Sequence, residues 1–206
     1  MIEFNKKTLF KLVFDYFNIY TCDTVFSEFG DGIRKGTPEN RKTYRLLTKK
    51  ERDVVLKSKN IDKIEEQLFN LKYFKSRSKK GKGERFLVST AIEQVYLNKF
   101  SQCILLTDDQ RAIDNFLDKI NEDFQFGKIW TTLDLVMFLY FKVKINYDEA
   151  SDVVRNLAAS TSISVKRYRE SNGRKYDEKE ARQRLLSVNL KKLHKIKEML
   201  KTLPGR

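Results

Sequence analysis

Four consecutive apolar residues, Cys103-Ile104-Leu105-Leu106, run into Thr107-Asp108-Asp109, with helical patterns on either side. Four residues suit a strand. An unbroken apolar run, rather than an alternating one, is expected of a parallel strand covered on both faces. Before it, Gly81-Lys82-Gly83-Glu84 opens a helix on which Leu87, Val88, Ala91, Ile92, Val95 and Tyr96 recur at helical spacing. After it, Ala112, Ile113, Phe116, Leu117 and Ile120 repeat that spacing. Lys128-Ile129-Trp130 then reads as another strand, and Thr132 as the cap of a helix from Leu133 to Tyr140. Helix, strand, helix, strand, helix in this order predicts an α/β fold with a central, mainly parallel sheet. Ligands of such sheets bind beyond the carboxyl ends of the strands, where Asp108 and Asp109 fall.

The flanking chain fits around this unit. Leu9 to Phe17 predicts a short helix and Asn18 to Cys22 a short strand. A helix carrying Ser27-Glu28-Phe29 follows, capped by Asp23 or Thr24 and ended by Gly30-Asp31-Gly32. Residues 33–60 carry little pattern beyond a short strand at Val54-Val55-Leu56. Ile61, Ile64, Leu68 and Leu71 then follow helical spacing, and 72–85 is a basic segment expected to be exposed, either a solvated linker or a phosphate-contacting loop. Residues 148–159 predict a helix. Asp177 with Glu180 is a capping-box start for a last helix from Glu178 to Leu203, which Pro204-Gly205 stops. Leu186, Leu190, Leu193, Ile196, Leu200 and Leu203 form its apolar stripe. That stripe needs a partner, either the same domain, a second copy or another protein. Its basic faces suit RNA.

Composition narrows the chemistry. The 206 residues include 40% hydrophobic side chains, enough for one sizeable core, and only 8 Gly and 2 Pro, too few for a turn-rich all-β domain. The net charge is +14, which favours a polyanionic partner such as nucleic acid. Residues 160–206 hold 14 Lys/Arg against 5 Asp/Glu, so the excess is concentrated there. One His, His194, and two Cys, Cys22 and Cys103, exclude a His-rich zinc site and a disulfide framework, and the thiols are expected to be buried and reduced. Any bound metal must then be a hard cation held by oxygen, Mg2+ or Mn2+. No signal-peptide pattern opens the sequence and no apolar run reaches transmembrane length, so a cytoplasmic location without a membrane partner is expected.

The acids carry two readings each. Asp108 and Asp109 suit a divalent cation at a strand end, and Asp109 equally suits a helix N-cap. Glu84, on the first turn of a helix, suits a metal site or simple stabilisation of the helix macrodipole, worth about 0.3–1 kcal/mol. Glu28 is a further candidate ligand or a solvated surface acid. Gathered carboxylates repel one another, and a bound cation would relieve that repulsion and could activate water for phosphodiester attack.

Taken in order, Leu9 to Phe17, Ile19-Tyr20-Thr21, Val25-Phe26-Ser27-Glu28-Phe29, Gly81-Lys82-Gly83-Glu84, Leu105-Leu106-Thr107-Asp108-Asp109-Gln110-Arg111-Ala112 and Ile129-Trp130-Thr131-Thr132-Leu133 resemble the landmarks of the PIN-domain family. The likeness is to the bacterial and archaeal branch with Gly-x-Gly-Glu and Thr-Asp-Asp motifs. It spans roughly residues 5–170, and Ile163 to Tyr168 is similar to that branch's closing element. The resemblance implies a three-layer α/β/α domain over 1–172 and a basic helical extension over 173–206. It implies a metal-dependent endoribonuclease of a toxin–antitoxin or phage-defence system. Glu28, Glu84 and Asp108 would ligate Mg2+ or Mn2+, and Asp109 would assist. Lys79, Lys80, Lys82, Arg85 and Arg111 would meet the phosphates of RNA, and DNA presents the same phosphates. An antitoxin, another protein or a second copy would dock on 178–203. One departure stands out. The family's first strand normally ends in Asp, where this sequence offers Asn5 at best. That favours an alternative, a catalytically weakened PIN-like protein that binds RNA or serves as an assembly subunit. A helical interaction protein organised by 178–203 is a third reading.

Overall fold

A computed structural model describes residues 3–4, 7–34, 54–57, 60–78, 81–97, 99–142, 144–160 and 176–202. The chain is mixed α/β and mostly helical, and its described strands form three two-stranded pairs. Lys79, Lys80, Asn5, the segment 161–175 and Leu203 onward lie outside the described residues.

Two compact units are present. The first comprises Glu3–Leu105 and Ala112–Ile129. It starts with a small antiparallel pair, β1 (Glu3–Phe4) and β2 (Lys7–Thr8), and then α1 (Leu9–Tyr16). β3 (Thr21–Cys22) lies parallel to β4 (Val55–Leu56), with Thr21 opposite Val55. α2 (Asp23–Arg34) leaves β3 directly. It continues through Gly30 and Gly32, which were expected to end it. Two helical glycines cost only about 1 kcal/mol each, and Gly30 is buried, so packing outweighs local propensity. α3 (Ile61–Asn70) and α4 (Lys82–Tyr96) pack on one another, and α4 also meets α2 and β3.

The apolar core of this unit joins Leu68 and Phe74 to Val88 and Ile92 of α4, Leu105, Ile113, Leu117, Ile120 and Phe126. β5 (Cys103–Leu106) runs into a helix over 110–124, α5, made of Gln110–Ala112, a π turn at Ile113–Leu117, and Asp118–Phe124. β6 (Gly127–Trp130) returns beside β5. The Cys103 N–H donates to the Phe126 carbonyl and the Thr107 N–H to the Trp130 carbonyl, both at 2.9 Å, so partner residues advance together and the pair is parallel. Gly127 makes this approach possible. Its φ is +149°, and a Cβ there would stand 1.9 Å from the Cys103 carbonyl oxygen. β5 is not covered on both faces as its apolar run predicts. Leu105 is 3% exposed but Ile104 and Leu106 are each 42% exposed, and among the described residues β6 is the strand that pairs with it.

The second unit comprises Leu106–Arg111 and Trp130–Arg206. α6 (Thr132–Phe141), α7 (Tyr147–Ser160) and α8 (Glu178–Thr202) pack pairwise. α6 is apolar on nearly every side, and six of its residues are buried. The expected capping box of α8 is present, with Asp177 Oδ1 accepting from the Glu180 N–H at 2.7 Å and Glu180 Oε2 accepting from the Asp177 N–H at 3.0 Å. Asn146 and Glu149 start α7 in the same way. α8 lies against α6 and α7, and the boundary expected at residue 172 lies outside the described residues.

α4 is buried on its polar side as well as its apolar one. Ser89 and Thr90 return their hydroxyls to the carbonyls of Arg85 and Phe86, both at 2.8 Å, which lets them enter the interior satisfied. Glu93 accepts from the Asn60 side-chain amide at 3.1 Å. Arg85, 4% exposed, donates from Nε to Glu65 Oε1 at 2.8 Å and from Nη2 to the Ser78 carbonyl at 2.6 Å. Glu65, 1% exposed, also accepts from Arg77 Nε at 2.7 Å. Removing one member of a buried pair strands the other's charge, at a cost of about 3–5 kcal/mol. Urea denaturation should therefore place Glu65→Ala and Arg85→Ala that far below the parent. Arg77→Ala, whose side chain is 42% exposed, should lose no more than about 1 kcal/mol.

Candidate functional site

The first turn of α4 collects two of the four predicted acids. Gly81 precedes it with φ +70°, a left-handed conformation that glycine adopts freely. Gly83 is buried, and the Glu28 carboxylate of α2 lies over it. A Cβ on Gly83 would stand 2.5 Å from Glu28 Oε2 and 3.3 Å from its Cδ. Glu84 folds back toward the same turn, its Oε2 4.0 Å from where a Gly81 Cβ would be. The first N–H groups of a helix have no partner within the helix, and its positive end favours anions. Glu28 and Glu84 thus face one helix N-terminus from two helices. Lys82 is exposed on that turn, its ammonium 4.7 Å from the Phe86 ring centre.

Asp108 and Asp109 lie in the second unit. Asp108 Oδ1 accepts the Thr132 N–H at 2.8 Å and Oδ2 accepts the Thr132 hydroxyl at 2.5 Å. Both carboxylate oxygens therefore face the start of α6. Thr131, not Thr132, is the cap of that helix. Its hydroxyl oxygen accepts from the Asp134 N–H while Asp134 Oδ2 accepts from the Thr131 N–H at 2.9 Å, a complete capping box. Two adjacent threonines compete for the role, and Asp108 claims the second. Asp109 Oδ1 accepts the Arg111 N–H at 2.9 Å, the bond of an N-cap, and its own N–H reaches the Thr107 hydroxyl at 3.1 Å. Arg111 is exposed beside it.

Arg85 differs from its expected role. It is buried against Glu65 and the Phe74 ring, and its guanidinium is committed to the fold rather than to phosphates. The signal for this pair was present. Glu65 stands four residues after Ile61 and three before Leu68, in register with the buried face of α3. Among the described residues of either unit, no three His, Cys, Asp or Glu side chains gather into a group that could hold a metal ion. Glu84 stands on the first turn of α4 and Glu28 of α2 lies against Gly83, and carboxylates are the donor type that suits a hard cation. Cys22 is buried and Cys103 half-buried, both unpaired with another sulfur, and burial pushes both thiols above their usual range, so neither is an activated nucleophile.

Comparison with family models, with curated protein sequences and with solved structures gives no match. The functional reading therefore rests on the chain itself. For Asp108 the immediate expectation concerns stability. Thr132→Val leaves the N–H bond and removes the hydroxyl donor, and should cost about 1–2 kcal/mol in thermal or urea denaturation, whereas Thr132→Ser should recover most of it.

Proposed function

We propose that the chain is a PIN-like endoribonuclease that depends on Mg2+ or Mn2+ and serves a toxin–antitoxin or phage-defence system, with a three-layer α/β/α domain followed by a basic helix. The observation that carries this reading is the seating of the Glu28 carboxylate on Gly83, beside Glu84. The closeness of a second helix's acid to that glycine explains why a Gly-x-Gly-Glu turn, rather than any good helix start, stands there. Further support comes from the parallel β5–β6 pair, from the acids at the end of β5, and from a net charge of +14.

In this reading Glu28, Glu84 and Asp108 hold the cation, and Asp109 assists. A bound divalent cation supplies charge for the phosphate oxygens and lowers the pKa of a bound water. The chain's own contribution is to hold the acids on helix and strand ends. Lys82 and Arg111 offer exposed positive charge to phosphates, as Lys79 and Lys80 would, whereas Arg85 does not enter the proposal.

Glu84→Gln and Asp108→Asn should keep helicity and nucleic-acid binding while losing Mn2+-dependent RNA cleavage by about 100-fold or more. Variants that cut as fast as the parent would overturn the assignment. A second reading, an RNA-binding or assembly subunit without cleavage, is favoured by one observation, that Thr132 already engages both Asp108 oxygens. The two separate by thermal shift. Mn2+ at 100 times its dissociation constant should stabilise a metal-binding parent by about 2.7 kcal/mol and leave Glu84→Gln unchanged.

A further inference from the structure

We infer that the solvent face of α8 is a binding surface for the phosphate backbone of double-helical RNA, formed by Arg184, Lys191, Lys192 and Lys195. This rests on the nucleic-acid half of the function proposed above and not on cleavage. α8 is 25 residues long, and its inward side is already used. Ala181, Asn189 and Leu193 are buried, and the helix packs on α6 and α7. Residues 184, 188, 191 and 195 follow at intervals of four, three and four, so they share one side, opposite Leu193. Lys192 flanks them, and all four cations are exposed.

Several other cations on α8 are engaged within the fold, whereas these four have no counter-charge among the described residues. Arg182 Nη2 pairs with Glu178 at 2.7 Å, and its Nη1 donates to the carbonyls of Ala158 and Ala159. Lys201 pairs with Glu198 at 2.9 Å. Lys197 stands 4.0 Å from the centre of the Tyr147 ring. Among the described residues no carboxylate forms an ion pair with Arg184, Lys191, Lys192 or Lys195. Lys191 and Lys195 are like charges one turn apart, which destabilises a helix by a few tenths of a kcal/mol in isolation. A polyanion relieves that repulsion.

Geometry selects among polyanions. From 184 to 195 the helix advances about 16 Å, long enough for its row of cations to follow several successive phosphates of a duplex backbone. The large apolar side chains exposed on α8 are Val188 and Met199, and neither is aromatic, so the face offers no platform on which the bases of a single strand could stack. A peripheral membrane helix lays its apolar side into lipid, and the apolar side of α8 is turned to α6 and α7. Backbone contact with a duplex is what remains.

The test uses the full chain and a labelled 20-base-pair RNA duplex, read by fluorescence anisotropy in EDTA across a salt series. The variant carries Lys191→Gln, Lys192→Gln and Lys195→Gln. Each phosphate contact contributes about 0.9 to the slope of log affinity against log salt, so the triple variant should be shallower by about 2–3 and at least about tenfold weaker at 100 mM salt. A control with the same charge change, Lys63→Gln, Lys99→Gln and Lys119→Gln, all exposed and outside the basic segment 72–85, should stay within about threefold of the parent. A triple variant with the parent's slope overturns the inference, as does a control that falls equally far. A parent that binds phosphatidylserine vesicles but not the duplex, or a DNA duplex more tightly than RNA, also overturns it. Because EDTA removes divalent metal, failure here leaves the cleavage reading standing, and a parent that never cleaves leaves this surface standing.

Discussion

Two charges placed in the interior of the first unit, Glu65 and Arg85, cannot exist there without each other. Their pairing fixes α3 against α4, and the second guanidinium contact, to the Ser78 carbonyl, ties down the chain just before α4. The Arg85 N–H also reaches the Gly81 carbonyl at 3.3 Å, within the opening turn of the helix. A residue that the sequence places among phosphate-binding cations is therefore a builder of the turn on which the candidate acids stand. Water could not perform this task, because desolvated charges need a partner of fixed geometry. Arg supplies it with a planar fork that meets a carboxylate and a carbonyl at once.

The same physical device recurs in both units. A carboxylate from one element is set against the amino end of another helix, Glu28 at α4 and Asp108 at α6. Asp108 satisfies a backbone donor and fastens two elements that are distant in sequence, while the exposed Glu28 side chain lies against the first turn of α4. That economy explains why acids at helix starts are hard to assign. The geometry that stabilises a fold and the geometry that presents a carboxylate to a cation begin from the same place. The distinction lies in the oxygens left over. Asp108 has a hydrogen bond on each oxygen, and each oxygen retains a second lone pair.

Periodicity was a reliable guide to where elements lie and a poor one to what surrounds them. The positions of α1, α3, α4, α7 and α8 and of β5 and β6 follow from apolar spacing and caps, and the Asp177–Glu180 box was legible from two residues. The length of α2 was not, because a glycine's local cost says nothing of the packing that offsets it. The exposure of Ile104 and Leu106 was not, because an apolar run reports what a strand tolerates and not how many neighbours it has. The polar side of α4 was misleading for a third reason. Ser89 and Thr90 satisfy themselves on the preceding turn, so hydroxyls that look solvated are free to be buried. Of the site, the nearness of Glu28 to the Gly83-Glu84 turn was anticipated by motif order, and the engagement of Asp108 by Thr132 was not, since adjacent threonines are indistinguishable as caps.

Gly83 and Gly127 are different kinds of constraint, and the difference reaches into how such a chain evolves. At Gly127 any side chain meets a backbone carbonyl, so selection for folding alone keeps it. At Gly83 the obstacle is the far end of a glutamate, which can swing aside, while alanine would strengthen the helix. A lineage under pressure only to stay folded would tend to lose the second glycine and keep the first. Among descendants of this chain, a glycine kept at position 83 would thus mark selection on the carboxylate above it, and an alanine there the release of that constraint.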